Sequence, residues 1–532
     1  MPEFDALAER LQRRDYRSWE ERQAMMARAL ELSMQDSVRV WLIDQLNVSP
    51  RAANVEVAID LAGGLSGSAL WPYTVRYTDR VGGQMVFGTP GLLTEPWNPV
   101  AGSNWIFDQM LIRATDDPVV IPDPFTGLFW PQRLTTAEVT VQQDVPVGRT
   151  LDWLSLDTAA EIVVPEDAWV GWDAAAGRFV TVGEQYPDGV TARTRVRVHY
   201  EDEFFERRWH DGSRLSLADL VLPWILAFER ADEASPLFDV AHLPTFEAFV
   251  RHFRGWRIVS RAPLVIEVYS DQIFPDAESI VAARAPAPGP WHTLFLGILA
   301  ERSGELAFSA NKADRLQVAW MSLVAGPSLP ILARHLRSAS ERELVPYPTV
   351  LADFLGKNEV GERYRALAEW HRQRGHFWVG NGPFQLHSVH PIEGSVVLRR
   401  FADFPDPADK WLRFSRPEVP ELDLDGPMVV QAGEAAEFRV NVTFEGRPYA
   451  REAIEDVQYL LFDGRGELAE RGEAEALDDG LWRVSLAPHA VAALAAGANS
   501  LEIAVTSRRV ALPAFVSHVF ATVPGDGRGA GR

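Results

Sequence analysis

In "RRWHDGSRLSLADLVLPWILAFERA" (207–231), apolar residues recur at Leu217, Leu220, Val221, Trp224, Ile225 and Phe228, the spacing of a helix with one buried face. Asp211-Gly212 forms a turn ahead of it, and Ser216, three residues before Asp219, is placed to cap it. Pro223 predicts a kink inside the helix. Earlier, Ser18 precedes Glu21 by three, and Met25, Met26, Ala29, Leu30 and Leu32 share one helical face. "VRVWLI" (38–43) then reads as a short buried strand. From about 54 to 90, short β-like runs alternate with Gly-rich turns. Residues 91–134 are loop-rich, with six prolines and three glycines around one helical stretch, Trp105 to Ile112. Residues 136–200 read as strands and hairpins. Helices dominate 216–375 with "LVIEVYS" (264–270) as a strand among them, and β-structure resumes at 382–401.

The pattern changes near 415. About seven short strands follow at roughly ten-residue spacing, separated by Gly and Pro, which predicts an immunoglobulin-like antiparallel β-sandwich over 416–524. Val429, Phe438, Val440, Val442, Tyr459, Leu461, Trp482, Val484, Leu501, Ile503 and Val505 fall at the alternating positions of its core. "PHAVAALAAGANS" (488–500) is a helical turn within it, and "GDGRGAGR" (525–532) reads as a disordered tail.

Composition narrows the function. At 532 residues the chain needs two or more cores, and a charge of −22 from 52 basic and 74 acidic residues disfavours nucleic-acid partners. The lack of cysteine excludes disulfides and thiolate metal sites. No apolar run is long enough for a membrane span, and the charged N-terminus shows no apolar signal-peptide core.

Candidate chemistry is sparse. His210-Asp211 lies on a turn, where adjacent side chains rarely converge on one ligand, so the expected role is a structural corner. His387 and His390 lie in a β-like stretch that sends them to opposite faces. His371 and His376 flank "RQRG" at a helix end, where positive charge complements the dipole. No phosphate loop, nucleophile elbow, dinucleotide fingerprint or H-E-x-x-H helix occurs. Asn47 and Asn441 match glycosylation triplets, a pattern common by chance. Eighteen tryptophans is a high number, and Trp71, Trp97, Trp105, Trp130, Trp209 and Trp378 sit in loop contexts, as packing residues or as walls of a ligand cleft. No catalytic residue, metal or cofactor is expected.

The Trp209-His210-Asp211-Gly212 turn, with Leu215 and Asp219, resembles the W-H-D-G motif of family 5 extracellular solute-binding proteins, the oligopeptide, dipeptide and nickel receptors of ABC importers. "WVGNGPFQL" (378–386) resembles the family's V-G-T-G-P block through Gly380, Gly382, Pro383, Phe384 and Leu386, with Asn381 in place of Thr. "PWNPVAGSNWIFDQMLIRATDDPVVIPDPFTGLFWP" (96–131) resembles the segment in which the family's first helix flanks the ligand cleft. Arg214 stands where the family has Pro, and residues 1–60 resemble a segment that closes such receptors, here placed first.

The resemblance implies a mixed α/β protein with periplasmic-binding-protein-like lobes over 61–415, followed by the sandwich. It gives Trp209, His210, Asp211, Gly212, Asp219, Gly380, Gly382 and Pro383 an architectural role. It implies a non-enzymatic component of an ABC importer, periplasmic or extracellular, that delivers a peptide-like solute to permease subunits. Trp105 and Asp108 are the expected ligand contacts. The displaced closing segment and the missing export signal suggest a fragment or rearranged member of a longer polypeptide. The rival is a non-transport cell-envelope protein that keeps the lobe as scaffold and binds a partner through the sandwich.

Overall fold

A computed structural model describes residues 2–13, 16, 18–36, 42 and 48–524. The strand expected over 38–43, Asn47 and the tail 525–532 lie outside the described residues, Leu42 excepted. The protein mixes helix and sheet in two units. One comprises residues 1–57, 64–122 and 128–410, the other 58–63, 123–127 and 411–532.

The first unit is organised on a seven-stranded sheet. Its strands, in spatial order, are Leu154–Ala159, Leu134–Gln142, Thr194–Tyr200, Leu264–Ser270, Phe253–Arg261, Trp169–Asp173 and Arg178–Thr181. All neighbours are antiparallel except the first pair. Thr194, Val196, Val198 and Tyr200 are buried and alternate with half-buried Arg195, Arg197 and His199, so one face carries the core. The opposite face holds Glu267 between Arg197 (2.6 Å) and Arg257 (2.8 Å).

Strand Phe253–Arg261 occupies a region whose sequence reads as helical. Register shifts between Phe253 and Gly255 and between Ile258 and Ser260 break the period-two pattern that marks a strand. Over 54–90 the β-like runs yield only the paired dipeptides Val55–Glu56 and Arg76–Tyr77, beside the short helices Gly64–Gly67 and Trp71–Thr74. At the N-terminus Pro2–Arg13 and Trp19–Asp36 are helices, and Ser18 Oγ accepts the Glu21 amide at 3.2 Å.

Helix Ala218–Glu229 packs on the core almost all round. Pro223 lacks the amide that would reach the Asp219 carbonyl. That carbonyl instead accepts the Gly289 amide at 2.9 Å, which ties the 286–290 loop to the helix. The proline expected to kink the helix thus supplies an anchor for a distant loop.

The second unit is two five-stranded sheets around one apolar core. Ten of the eleven expected core residues are buried, and Val429 is the exception at 57% exposed, with Val430 inward instead. Two adjacent valines leave the parity of a three-residue strand open, and the structure resolves it toward the second. Strand Val429–Gln431 pairs parallel with Ala514–Val523, so the sandwich is not wholly antiparallel. The unit begins at Trp411 and recruits two earlier segments. Within it Ala511 N–H donates to the Phe125 carbonyl at 2.8 Å, and the Phe125 ring lies 5.7 Å from that of Phe414.

Candidate functional site

The W-H-D-G turn is a buried corner of the first unit. Gly212 takes φ 87°, and its amide donates to the Trp209 carbonyl. Asp211 Oδ1 accepts the Ser213 amide (3.0 Å) and hydroxyl (2.6 Å). The turn is enclosed, with Trp209 1% and His210 6% exposed. His210 and Asp211 point to separate partners. His210 N–H donates to the Gly380 carbonyl at 2.8 Å and Nε2–H to the Gly382 carbonyl at 2.9 Å. The W-H-D-G and G-N-G-P segments therefore meet directly.

Both glycines of the second segment are required by this meeting. The Asn381 and Gly382 amides both donate to the Thr115 carbonyl, at 3.0 and 2.9 Å. A Cβ on Gly380 would lie 1.9 Å from that oxygen, and one on Gly382 2.6 Å from the Asp116 backbone. Three distant stretches cross here with backbone against backbone.

Behind the corner lies a closed polar network. Asp211 Oδ2 meets His292 Nε2 at 2.9 Å, and His292 Nδ1 meets Arg363 Nη1 at 3.1 Å. A guanidinium only donates, so Nδ1 is the bare nitrogen and Nε2 carries the proton given to Asp211. Burial acts upward on the Asp211 carboxyl, but the His292 ring and the Ser213 bonds hold it below its ordinary value. Asp219 accepts from Trp291 N (2.9 Å), Ser216 N (2.8 Å), Trp209 Nε1 (3.2 Å) and Arg363 Nη2 (2.5 Å). Ser216 donates its amide to Asp219, and no Ser216 cap bonds the helix amides. Both nitrogens of His292 are occupied, and Asp211 and His292 have no exposed side-chain surface. An aspartate–histidine pair so enclosed holds the fold and offers no base to a substrate. His292, Arg363 and Trp291 carry no local signal in the sequence; only the need of a buried Asp for partners points to them.

A cavity of about 530 Å³ opens beside this crossing. The segment resembling the cleft-flanking region contributes Asn98–Gly102, Ile112, Thr115 and Asp116. The corner and its helix contribute Trp209, Pro223, Leu226, Ala227 and Arg230, and the G-N-G-P segment contributes Trp378, Val379 and Gly380. The 287–290 loop held by Asp219 closes another side. Trp378 is a half-buried wall braced edge-on by Trp97 (5.2 Å between ring centroids), its Nε1–H given to Thr115 Oγ1 at 2.9 Å. Asp116 is accessible and follows the last turn of helix Ile106–Thr115. Partial desolvation by the protein around it, with the adjacent Asp117, pushes its carboxyl up to about 6.

Of the expected contacts, neither Trp105 nor Asp108 lines this cavity. Asp108 is 0% exposed and turns inward, accepting Leu93 N (2.8 Å) and Ser103 Oγ (3.3 Å), which pins the 93–103 loop. Trp105 precedes the helix and gives its Nε1–H to the Gly91 carbonyl. The last turn of this helix and the residue after it reach the cavity, while its first turn holds the loop. Of the loop tryptophans, Trp209 and Trp378 are cavity walls. Trp71 packs on Phe384, and Trp130 lies in strand Phe129–Pro131. Pro383 continues from the glycine crossing into strand Phe384–His390.

The histidines at the end of helix Glu359–Arg374 are not its cationic complement. His376 lies beyond the helix with its Nε2 on the Leu386 carbonyl, and burial holds it at about 3; His371 stacks on Phe377 and is also lowered. Arg372 and Arg374 supply the charge there. His387 meets Arg374 and His390 meets Ser388, so the two do not converge. Asn441 lies mid-strand, its amide 3.4 Å from Asp423.

These burials set a pH dependence. Burial lowers His210 from 6.5 to about 4 and His376 to about 3. The unfolded chain takes up protons below pH 6.5 that the folded chain refuses, so stability is complete above that value and falls as pH drops. Asp116, raised from 3.8 to about 6, acts oppositely. Between about pH 7 and about pH 5 the histidines outweigh it, with a net loss of roughly 2–4 kcal/mol. Urea unfolding at both pH values checks this, and equal or greater stability at the lower one contradicts it.

No family model matches the chain, and no curated protein matches it. Solved structures match short stretches. A DUF4785 family protein from Legionella pneumophila subsp. pneumophila str. Philadelphia 1 is 12% identical over 19% of this chain and 28% of that one, with a TM-score of 0.16. A CARDB domain from Pyrococcus furiosus, solved with di-metal ions, is 15% identical over 20% of this chain and 90% of that one, at 0.13. A 1.5-MDa bacterial ice-binding adhesin is 17% identical over 20% of this chain and 33% of that one, at 0.16.

Proposed function

We propose that this chain is the solute-capturing component of an ABC importer, working outside the cytoplasmic membrane and handing a small peptide-like solute to permease subunits. The observation that carries this reading is the convergence at the cavity. The three segments that resemble family 5 solute-binding proteins, far apart in sequence, all contribute to its walls. A site of this size, mostly apolar with a few polar groups, suits an organic solute. Trp378 and the proline loop supply flat walls, and Asp116 supplies charge and orientation. No described helix is long and apolar enough to cross a membrane, so delivery falls to partner subunits. Capture needs no chemistry, and the one aspartate–histidine pair at the corner is committed to Arg363.

The purified chain is therefore expected to retain short C-terminally amidated peptides without turning over peptide, ester or glycoside substrates. Chromatography of peptides after prolonged incubation, with parallel chromogenic assays, checks this. Turnover that His210→Ala or His292→Ala abolishes would replace this reading with an enzymatic one.

A further inference from the structure

We propose that the cavity selects an organic cation, an ammonium on an apolar body that carries no free carboxylate. The inference rests on the solute-binding reading and specifies its ligand. Its basis is the charge balance of the lining. Arg230 is committed to Asp239 at 2.9 Å, with side-chain exposures of 10% and 2%, so that pair is neutral as a unit. The Arg230 Nε is buried without a hydrogen-bond partner among the described residues and offers a ligand almost no accessible surface. His242 gives its Nε2–H to the Ala227 carbonyl, and burial, with the Arg230 charge, keeps the ring below its ordinary pKa and uncharged at neutral pH.

Asp116 remains. Among the described residues no cation pairs with it, and it stands at the carboxyl end of a ten-residue helix, where the backbone dipole adds negative potential. The surrounding protein and the Asp117 charge lift its carboxyl only to about 6, so it is ionised at neutral pH. One uncompensated negative charge thus lies in a largely apolar space walled by Trp378, whose face attracts cations. A ligand carboxylate would find no free cation there and would enter with an unpaired charge.

The test is calorimetric titration of the intact chain with phenyl compounds of matched size: 2-phenylethylamine, 2-phenylethanol, phenylalanine and 3-phenylpropanoate. The amine is expected to bind at least about tenfold tighter than the alcohol, the scale of one charge-assisted hydrogen bond, with the zwitterion and the anion weaker than either. Asp116→Asn is expected to bring the amine-to-alcohol ratio near unity, with an unchanged circular dichroism spectrum as the folding control. Equal binding of amine and alcohol, tighter binding of phenylalanine, or an amine preference that survives Asp116→Asn would overturn the cation assignment and leave solute binding standing. If none of the compounds binds, both readings fall.

Discussion

Gly380→Ala is expected to abolish the folded protein. The new methyl would sit 1.9 Å from the Thr115 carbonyl oxygen and 2.9 Å from its carbon, and these are backbone atoms with no rotamer to yield. Relief requires parting the crossing, which carries four hydrogen bonds: Asn381 and Gly382 to Thr115, and His210 to Gly380 and Gly382. Each is worth about 1 kcal/mol net, and the groups stranded by parting are buried. The cost should exceed about 4–5 kcal/mol, beyond the range of ordinary single substitutions. Gly375→Ala is the control. Its φ of 77° disfavours a side chain, but nothing lies within 4 Å of the added carbon, so about 1 kcal/mol is expected. Denaturant unfolding and soluble yield of the two variants check this. Comparable stability would show that the crossing is not close-packed.

Asp219→Asn should cost about 3–5 kcal/mol, the scale of breaking one partner out of a buried pair. The substitution preserves shape, yet an amide cannot do the work of the carboxylate. Trp291 N–H donates to one oxygen, while Ser216 N–H, Trp209 Nε1–H and Arg363 converge on the other. Whichever way the amide turns, its NH₂ meets a donor. Among the described residues, Arg363, 1% exposed, then keeps only Glu359 at 3.3 Å as a counter-charge. Adding Arg363→Met removes the stranded cation, so the double variant should lose less than the sum of the single ones. Additive losses within about 0.5 kcal/mol would mean that the pair is not coupled.

Both predictions concern residues whose role was partly legible in the sequence. The W-H-D-G turn reads as a corner because Asp-Gly favours a turn and the following apolar residues favour a helix. What the corner clamps is not legible, since Gly380 and Gly382 lie about 170 residues downstream and pair through backbone atoms that carry no residue signature. The same holds for His292 and Arg363, which reach Asp211 and Asp219 across 81 and 144 residues. Asp108 shows the converse failure. A carboxylate on a helix beside an expected cleft suggests a contact, but the orientation of that helix sends Asp108 inward and Asp116 to the cavity. Strand Leu264–Ser270 is legible from its β-branched and aromatic residues on either side of Glu267, whereas its neighbour Phe253–Arg261 is hidden by two register shifts. In the second unit, alternation gives most of the core, and only the doubled valine at 429–430 misleads. Local chemistry is thus readable where it acts locally, and the site is assembled from contacts that are not local.

Whether the cavity at that crossing holds a solute is read directly by native mass spectrometry of the purified chain. The chain is incubated with a defined mixture of C-terminally amidated di- to tetrapeptides, alongside Ala287→Trp, which replaces an accessible lining residue of the cavity with an indole. The predicted result is one-to-one adducts of intact peptide on the wild-type chain and none on Ala287→Trp, with the two proteins melting alike. Adducts that persist in Ala287→Trp, no adducts on either protein, or peptides recovered cleaved would contradict it.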